Sequence, residues 1–427
     1  MTDADLLRIR NLCPGERWRL PRILWLFCAA VCEPLVVTFV GGNVRKTVYW
    51  IEGDGVGAEC WQAARPVLDK AVEAAYPGNG MDWVEVLAGE KALAETGELL
   101  PQASIEALRG AETAIKGPLG TPVGLGFRSL NVTLRQVFDL YACIRPIQYF
   151  EGIESPLKRP ELVDMVVFRE NTEDVYAGIE YASGTAEAKR LIAFLRDELG
   201  AQVNDAAAVG IKPMTPHGCK RLVSRAIRFA LDDKRPSVTL VHKGNIMKFT
   251  EGGFRQWGYD AAREDFAGTT VTEAEIKKGA VADGRVIVKD RIADAMFQDT
   301  LIKPTEFSVI ATPNLNGDYL SDALAAQVGG LGLAPGANMS DTLGFFEATH
   351  GTAPDIAGKD LVNPGSLILS GAMMLDYLGW PEAAVRVRTA IAKAISGKRV
   401  TADLAKQMQG ATAVGCRAFG EIVGENL

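Results

Sequence analysis

The 427-residue chain has no surplus of positive charge: 46 basic side chains face 53 acidic ones, for a formal net charge of −7. A nucleic-acid surface needs a concentrated positive field, so that class of partner is excluded. Cysteine is sparse and scattered. The seven thiols are Cys13, Cys28, Cys32, Cys60, Cys143, Cys219 and Cys416, and beyond Cys32 no two lie near each other. An odd, dispersed set is neither a disulfide framework nor a paired zinc site; it reads as buried or free thiols in a reducing compartment. There is no internal repeat and no low-complexity linker, so any domains interleave along the chain. A long charge-free apolar run is also missing. The run Ile23 to Val40 carries Glu33 and Pro34 in its middle. A charge at the bilayer centre is costly, which argues against a membrane span.

What is present is ordinary for a globular protein, with 48 % hydrophobic and 23 % charged residues. At about 150 residues per domain, the length allows two or three domains. The first 50 residues differ from the rest. Arg8, Arg10, Arg17, Arg19 and Arg22 precede the apolar run, as in a signal peptide, but no clear small-residue cleavage site follows. The segment reads as an atypical N-terminal extension; a packed extra element and a targeting segment are the alternatives. From Thr47 the pattern is regular. T-V-Y-W-I predicts a strand, Glu59 to Ala75 a helix, M-D-W-V-E-V-L a strand and A-E-T-A-I-K another. Further strands are predicted at Asp164 to Phe168, Ser237 to His242 and Glu306 to Thr312. Helices are predicted at Ala186 to Gly200, Ser366 to Leu378 and Pro381 to Ile395. Alternating strands and helices imply α/β layering.

The turn Glu52-Gly53-Asp54-Gly55-Val56-Gly57 is a weak nucleotide signal, because Gly-x-Gly-x-Gly is not the dinucleotide fingerprint. A plain tight turn is the simpler reading. The arginines say more. Ser129, Asn131 and Arg135 belong to a predicted helix, with Asn131 and Arg135 four apart on one face. Arg145 and Arg169 each finish an apolar stretch, a costly place for a guanidinium unless an anion meets it. Three such arginines suit a substrate with several carboxylates; internal salt bridges are the competing explanation. Asp318 and Asp322 also share a helix face, and two carboxylates there repel unless a cation or proton intervenes. Oxygen ligands suit Mg²⁺ or Mn²⁺, with Asp294 a third candidate. A helix N-cap role for Asp318 competes with that reading.

The motifs I-E-G-D-G, I-K-G-P, R-S-L-N-V, F-R-E-N-T-E-D-V-Y-A-G-I-E, V-H-K-G-N-I-M-K, N-L-N-G-D-Y-L-S-D and F-E-A-T-H-G-T-A-P are long and specific. From about Ile51 to Leu427 the chain resembles the bacterial homodimeric isocitrate dehydrogenases of the β-decarboxylating dehydrogenase family. The resemblance implies an α/β isocitrate/isopropylmalate dehydrogenase-like fold, not a Rossmann fold. It implies a large domain (51–140 and 329–427), a small domain (141–173 and 216–328) and a clasp (174–215). Ser129, Asn131, Arg135, Arg145 and Arg169 resemble the isocitrate-binding set, and Tyr176 and Lys243 the acid/base pair. Asp294, Asp318 and Asp322 resemble the Mg²⁺ or Mn²⁺ ligands. Lys243 and Asp294 would serve the other subunit's site, so a homodimer is implied. Thr121, Glu347, His350, Gly351, Thr352, Ala353 and Asn363 resemble cofactor contacts. The implied chemistry is oxidation of isocitrate and loss of CO₂ to give 2-oxoglutarate, in the cytoplasm, with no membrane partner. A 3-isopropylmalate, homoisocitrate or tartrate dehydrogenase is the sibling alternative.

The sequence also carries an expectation about the nicotinamide cofactor. Where NADP-using relatives carry lysine and tyrosine, this chain has Asp355 and Ile356, and further on Ala402 and Lys406. Aspartate accepts hydrogen bonds from a bare ribose and repels a 2′-phosphate, by roughly 4 kcal/mol at 4 Å and an effective dielectric near 20. These residues predict NAD⁺; Lys406 pulls the other way, since it attracts phosphate, and an NADP-preferring isocitrate dehydrogenase is the alternative.

Overall fold

The computed structural model describes residues 43–120 and 129–427. The arginine-rich segment with its apolar run, Thr121 and Arg128 lie outside the described residues.

Eleven strands form one mixed sheet. They are β1 (Arg45–Ile51), β2 (Gly80–Glu85), β3 (Thr113–Lys116), β4 (Ala142–Gln148), β5 (Asp164–Glu170) and β6 (Ser237–His242). The rest are β7 (Thr270–Thr272), β8 (Val286–Ile292), β9 (Val309–Thr312), β10 (Pro335–Met339) and β11 (Gly344–Ala348). Their spatial order is β2-β1-β3-β11-β10-β4-β5-β9-β6-β8-β7. The first four are mutually parallel, as are the last five. Between these wings, β10 runs antiparallel to both β11 and β4, and β4 antiparallel to β5. The chain builds part of one wing, crosses to the other, and returns. That is the expected α/β fold, with a large mixed sheet.

Local sequence explains the elements. Every residue of S-V-T-L-V-H in β6 is buried, and a parallel strand covered on both faces reads as a continuous apolar run. The Gly57–Ala75 helix buries Cys60, Trp61, Ala64, Val67, Leu68, Ala71 and Val72, spaced three and four apart along one face. Trp61 stacks on Trp50 of β1 at 4.7 Å and meets Trp83 of β2 edge-on at 4.9 Å, fixing this helix against its wing. The Gly365–Tyr377 helix is buried almost all round, consistent with a helix inside the core. The stretch between β5 and β6 carries a separate two-stranded antiparallel pair, Glu180–Tyr181 with Val209–Gly210, and the Ala186–Asp197 helix. Phe194, Leu199 and Ile211 of this stretch are exposed. Among the described residues, no helix is long and apolar enough to cross a membrane.

The topology determines where chemistry can occur. Lys116 ends β3, Arg169 and Glu170 end β5, Thr312 ends β9, and Glu347 lies near the end of β11. In open α/β sheets, ligands bind beyond the carboxyl ends of parallel strands, where the connections diverge.

Candidate active site

The site begins with three arginines, each tied to a side chain of another element. Arg169 sits in β5 with 1 % of its surface exposed. Its Nε donates to Asn314 Oδ1 at 2.9 Å, and its Nη1 to Asp318 Oδ1. Gly317 lies against it; a Cβ there would come within 2.6 Å of the Arg169 side chain. Arg145 in β4 donates from Nη1 to Ser321 Oγ at 2.6 Å and Asp322 Oδ1 at 3.0 Å. Arg135, on the Leu130–Val137 helix, donates from Nη2 to Glu347 Oε1 at 3.3 Å. The three feel one another. Burial first, then the positive charges of Arg135 and Arg145, pull the Arg169 pKa down.

Arg135 and Arg145 share a cleft of about 190 Å³ with Lys116, Asn131, Glu347 and His350. Within it, Arg135 Nε, Arg145 Nε and Asn131 Oδ1 are buried without a hydrogen-bond partner. Buried polar groups are ordinarily satisfied. Two orphaned guanidinium donors therefore suit an anionic ligand with several oxygens. Ser129 stands at the N-cap of the Leu130–Val137 helix and makes no capping bond. Asn131 Nδ2 donates to Leu119 O at 3.3 Å.

The acidic side of the site lies on the Asn314–Gln327 helix. Pro313 is its N-cap, so Asp318 lies a full turn inside and the capping role is excluded. Asp318 Oδ2 accepts from the Tyr176 hydroxyl at 2.6 Å. Burial, then the hydrogen bond to Asp318, pushes the Tyr176 pKa up to about 12, which keeps this phenol protonated. Asp322 has its pKa raised by burial, with Arg145 opposing and the Asp318 charge adding to the rise. At Asp318 burial is outweighed by Arg169 and the Tyr176 hydrogen bond, which lower its pKa; two carboxylates on one helix face are oxygen donors that fit a hard divalent cation. Among the described residues, no three acidic, cysteine or histidine side chains form a metal-holding group. Asp294 does not join Asp318 and Asp322; it pairs with Lys243 at a largely exposed position. Nor does Lys243 contact Tyr176 through any described bond.

The remaining predicted residues split into a brace and a loop. Glu347 is the brace. Lys116 Nζ meets its Oε2 at 2.6 Å, and Asn338 Nδ2 and Arg135 donate to its Oε1. Burial would raise its pKa, but Lys116 first, then Arg135 and Asn338, hold it far below the usual carboxylate range. A depressed pKa contributes stability above the unfolded value near 4.3 and loses it as pH falls. Glu347→Gln should therefore cost about 3–5 kcal/mol at pH 7, because two buried cations lose their partner. The gap to wild type should narrow as pH falls below about 4. Denaturant unfolding at pH 7 and in that acid range measures both.

The loop is Gly351, Thr352 and Ala353, with His350 before it. Val56 N donates to Thr352 O at 3.0 Å, and a Cβ on Gly55 would come within 2.1 Å of that carbonyl. Gly53 and Gly55 have φ of +87° and +57°, so the glycine turn is a close-packed turn against this loop. Asp54 within it is buried and accepts from Glu90 N at 2.7 Å and Gly120 N at 2.6 Å. His350 Nδ1 lies 3.0 Å from Gly351 O. Asn363 Nδ2 donates to Asp403 Oδ2 at 3.0 Å, and its Oδ1 accepts from Gly365 N at 2.9 Å. Asp355 is exposed, with Lys359 Nζ on its carbonyl oxygen at 2.7 Å, while Ile356 is partly buried against the core. The residue pattern did not single out Asn314, Ser321 and Lys116, whose partners lie far along the chain, or Asn338, which reaches Glu347 nine positions on across the β10–β11 pair.

A cationic cleft beside a helix that carries two carboxylates suits a small polyanion. A family model described as isocitrate/isopropylmalate dehydrogenase matches residues 47–423, and the chain belongs to this family. A protein of Staphylococcus epidermidis named isocitrate dehydrogenase [NADP] is 52 % identical over 399 residues, covering 88 % of this chain and 94 % of the relative. One of Pseudomonas aeruginosa with the same name is 53 % identical over 380 residues, covering 87 % and 91 %. The crystal structure of isocitrate dehydrogenase from Methylococcus capsulatus superposes with a TM-score of 0.75 at 36 % identity, covering 89 % of this chain and 99 % of that one.

These relatives overturn the NAD⁺ expectation. They are named for NADP and match the chain at 52 and 53 % identity. A strong repulsion of a 2′-phosphate by residue 355 requires a partly desolvated charge. Asp355 is instead exposed beside a lysine. In water the same repulsion falls to about 1 kcal/mol, too little to set cofactor choice.

Proposed function

We propose that this chain is an NADP⁺-dependent isocitrate dehydrogenase, converting isocitrate to 2-oxoglutarate and CO₂. The placement of Arg135 and Arg145 on the cleft, with Arg169 close enough to feel both and tied to Asp318 and, through it, to Tyr176, carries the proposal. The names of the bacterial relatives support both the substrate and the cofactor, and a cytoplasmic setting accords with them.

In this reading the guanidinium groups clamp the substrate carboxylates and fix its pose. Ser129 and Asn131 give the helix at the cleft a polar face, which favours isocitrate's extra carboxylate over the apolar group of isopropylmalate. Asp318 and Asp322 would hold Mg²⁺ or Mn²⁺, which supplies Lewis-acid polarisation of the substrate hydroxyl and of the enolate oxygen. Tyr176 keeps its proton until the carbanionic carbon accepts it. Lys243 and Asp294 would complete the neighbouring site in a homodimer. Their separation from Tyr176 and Asp318 in one chain supports this, as does the exposure of Ile246 and Phe249 beside Lys243, Phe249 at 91 %. Thr121, His350, the 351–353 loop and Asn363 would face the cofactor. The two parallel wings suit the proposed large and small domains, and the 174–215 segment suits the clasp.

The test is initial-rate kinetics with isocitrate and Mn²⁺. We expect isocitrate-dependent reduction with kcat/KM for NADP⁺ at least about tenfold above that for NAD⁺, a difference of about 1.4 kcal/mol. Equal use, or a preference for NAD⁺, defeats the cofactor assignment; 3-isopropylmalate as the better substrate defeats the substrate assignment.

A further inference from the structure

We propose that Lys212 is a positioning residue that locks together the segments bearing Tyr176, Lys243 and Asp318. The inference rests on the functional reading above and extends it to a residue outside the cleft.

Three segments meet at one partly buried lysine. Lys212 Nζ lies 2.6 Å from Asp174 Oδ1 and 2.9 Å from Glu251 Oε1. Both carboxylates are buried, at 1 % and 0 % exposure. Each also holds backbone. Asp174 Oδ1 accepts from Val175 N at 2.7 Å, and its Oδ2 from Leu315 N at 3.0 Å. Glu251 Oε2 accepts from Lys243 N at 2.5 Å and from Asn316 Nδ2 at 2.8 Å. Asp174 N in turn donates to Pro213 O, next to Lys212, at 3.0 Å.

Each contact leads to a reactive group. Asp174 opens the short 3₁₀ turn Asp174–Ala177, which carries Tyr176, and its backbone adopts φ of +72°. A non-glycine residue in that region persists only where its surroundings hold it. Leu315 and Asn316 lie in the first turn of the helix that carries Asp318. Lys243 follows β6, and its main chain is bound directly by Glu251. The two carboxylates carry two negative charges against one positive charge on Lys212. Burial would lower the Lys212 pKa, but its bonds to Asp174 and Glu251 outweigh that and raise it. Without this cation the two buried carboxylates repel, and the three segments lose their common tie. In the proposed dimer, Tyr176 and Asp318 serve one site and Lys243 the other. One ammonium then sets the geometry of parts belonging to two sites.

The substrate-clamping arginines lie on β4, β5 and the Leu130–Val137 helix, and none is bonded to Lys212. Loss of the lock should therefore impair turnover more than substrate binding. The experiment compares full-length wild type with Lys212→Met, Lys212→Arg and a control at the buried Lys289, Lys289→Met, whose ammonium donates to the Glu306 carbonyl oxygen. Lys212→Met should lower kcat roughly 10²-fold, the scale of a misplacement near 1 Å, with the isocitrate KM within about threefold. Lys212→Arg should recover most of kcat. Lys289→Met should lower Tm and leave kcat and KM unchanged. Unchanged kcat in folded Lys212→Met, or a rise in KM matching the loss of kcat, overturns the proposal. Should Lys212→Met fail to fold, Asn316→Ala removes one strand of the lock and should lower kcat with KM held; no change there overturns it equally. A wild type without isocitrate-dependent turnover refutes the functional reading itself, a separate outcome.

Discussion

Asp318→Asn should lower kcat/KM for isocitrate on the order of 10³-fold, the scale of losing a central electrostatic group in a closed site. Asp318 accepts from both Arg169 and Tyr176. Replacing it removes one of the two carboxylates proposed to hold the divalent ion and unbalances the buried Arg169 guanidinium at once. Asparagine keeps the shape and loses the charge, so the effect isolates electrostatics from packing. The dependence on metal separates the two roles. If Asp318 is a metal ligand, the variant's activity should require much higher Mn²⁺, and calorimetric Mn²⁺ binding should weaken in parallel. A variant that binds Mn²⁺ like wild type and retains near-normal turnover would remove Asp318 from the mechanism.

Tyr176→Phe should lower kcat by roughly 10²–10³, within the range for loss of a general acid, with the isocitrate KM within about threefold. The ring remains, with its face about 5.0 Å from the Arg169 guanidinium, so the cleft wall is conserved. Only the hydroxyl held by Asp318 is lost. Stopped-flow absorbance should then show reduced nicotinamide accumulating in a burst ahead of steady-state turnover, because hydride transfer and CO₂ loss precede the slowed protonation of the enolate. A fall in kcat without accumulation would assign the hydroxyl to substrate orientation instead.

Much of this architecture was legible in the sequence, for physical reasons that differ by element. β6 and the Gly57–Ala75 helix announce themselves, because burial on both faces or along one stripe imposes its own spacing on the apolar residues. The β10 strand, Pro-Gly-Ala-Asn-Met, does not. It has no β-branched residue, and its pairing is set by β4 and β11 on either side. Arginines within buried strands stood out, since few environments tolerate them. Their internal partners also exist: each of Arg135, Arg145 and Arg169 meets a carboxylate. The salt-bridge and substrate explanations are thus compatible, and the unpartnered Nε atoms of Arg135 and Arg145 are what favour a ligand. Lys212, Asp174 and Glu251 were invisible, because each resembles any polar residue until the fold closes distances of 38 and 39 positions. The cofactor expectation failed for a related reason. The identities of residues 355 and 356 were weighed without their exposure, and exposure decides what a charge is worth.

The antiparallel seam at β10, β4 and β5 has a mechanical consequence. Lys116 and Glu347 belong to one wing, Arg169 and Thr312 to the other, and Arg145 rides on the seam itself. Since hydrogen bonds run unbroken through all eleven strands, the jaws of the cleft cannot part like two halves on a loose cord. They can separate only by winding or unwinding the ribbon that joins them, so the stiffness of that ribbon sets how far this molecule yawns between turnovers.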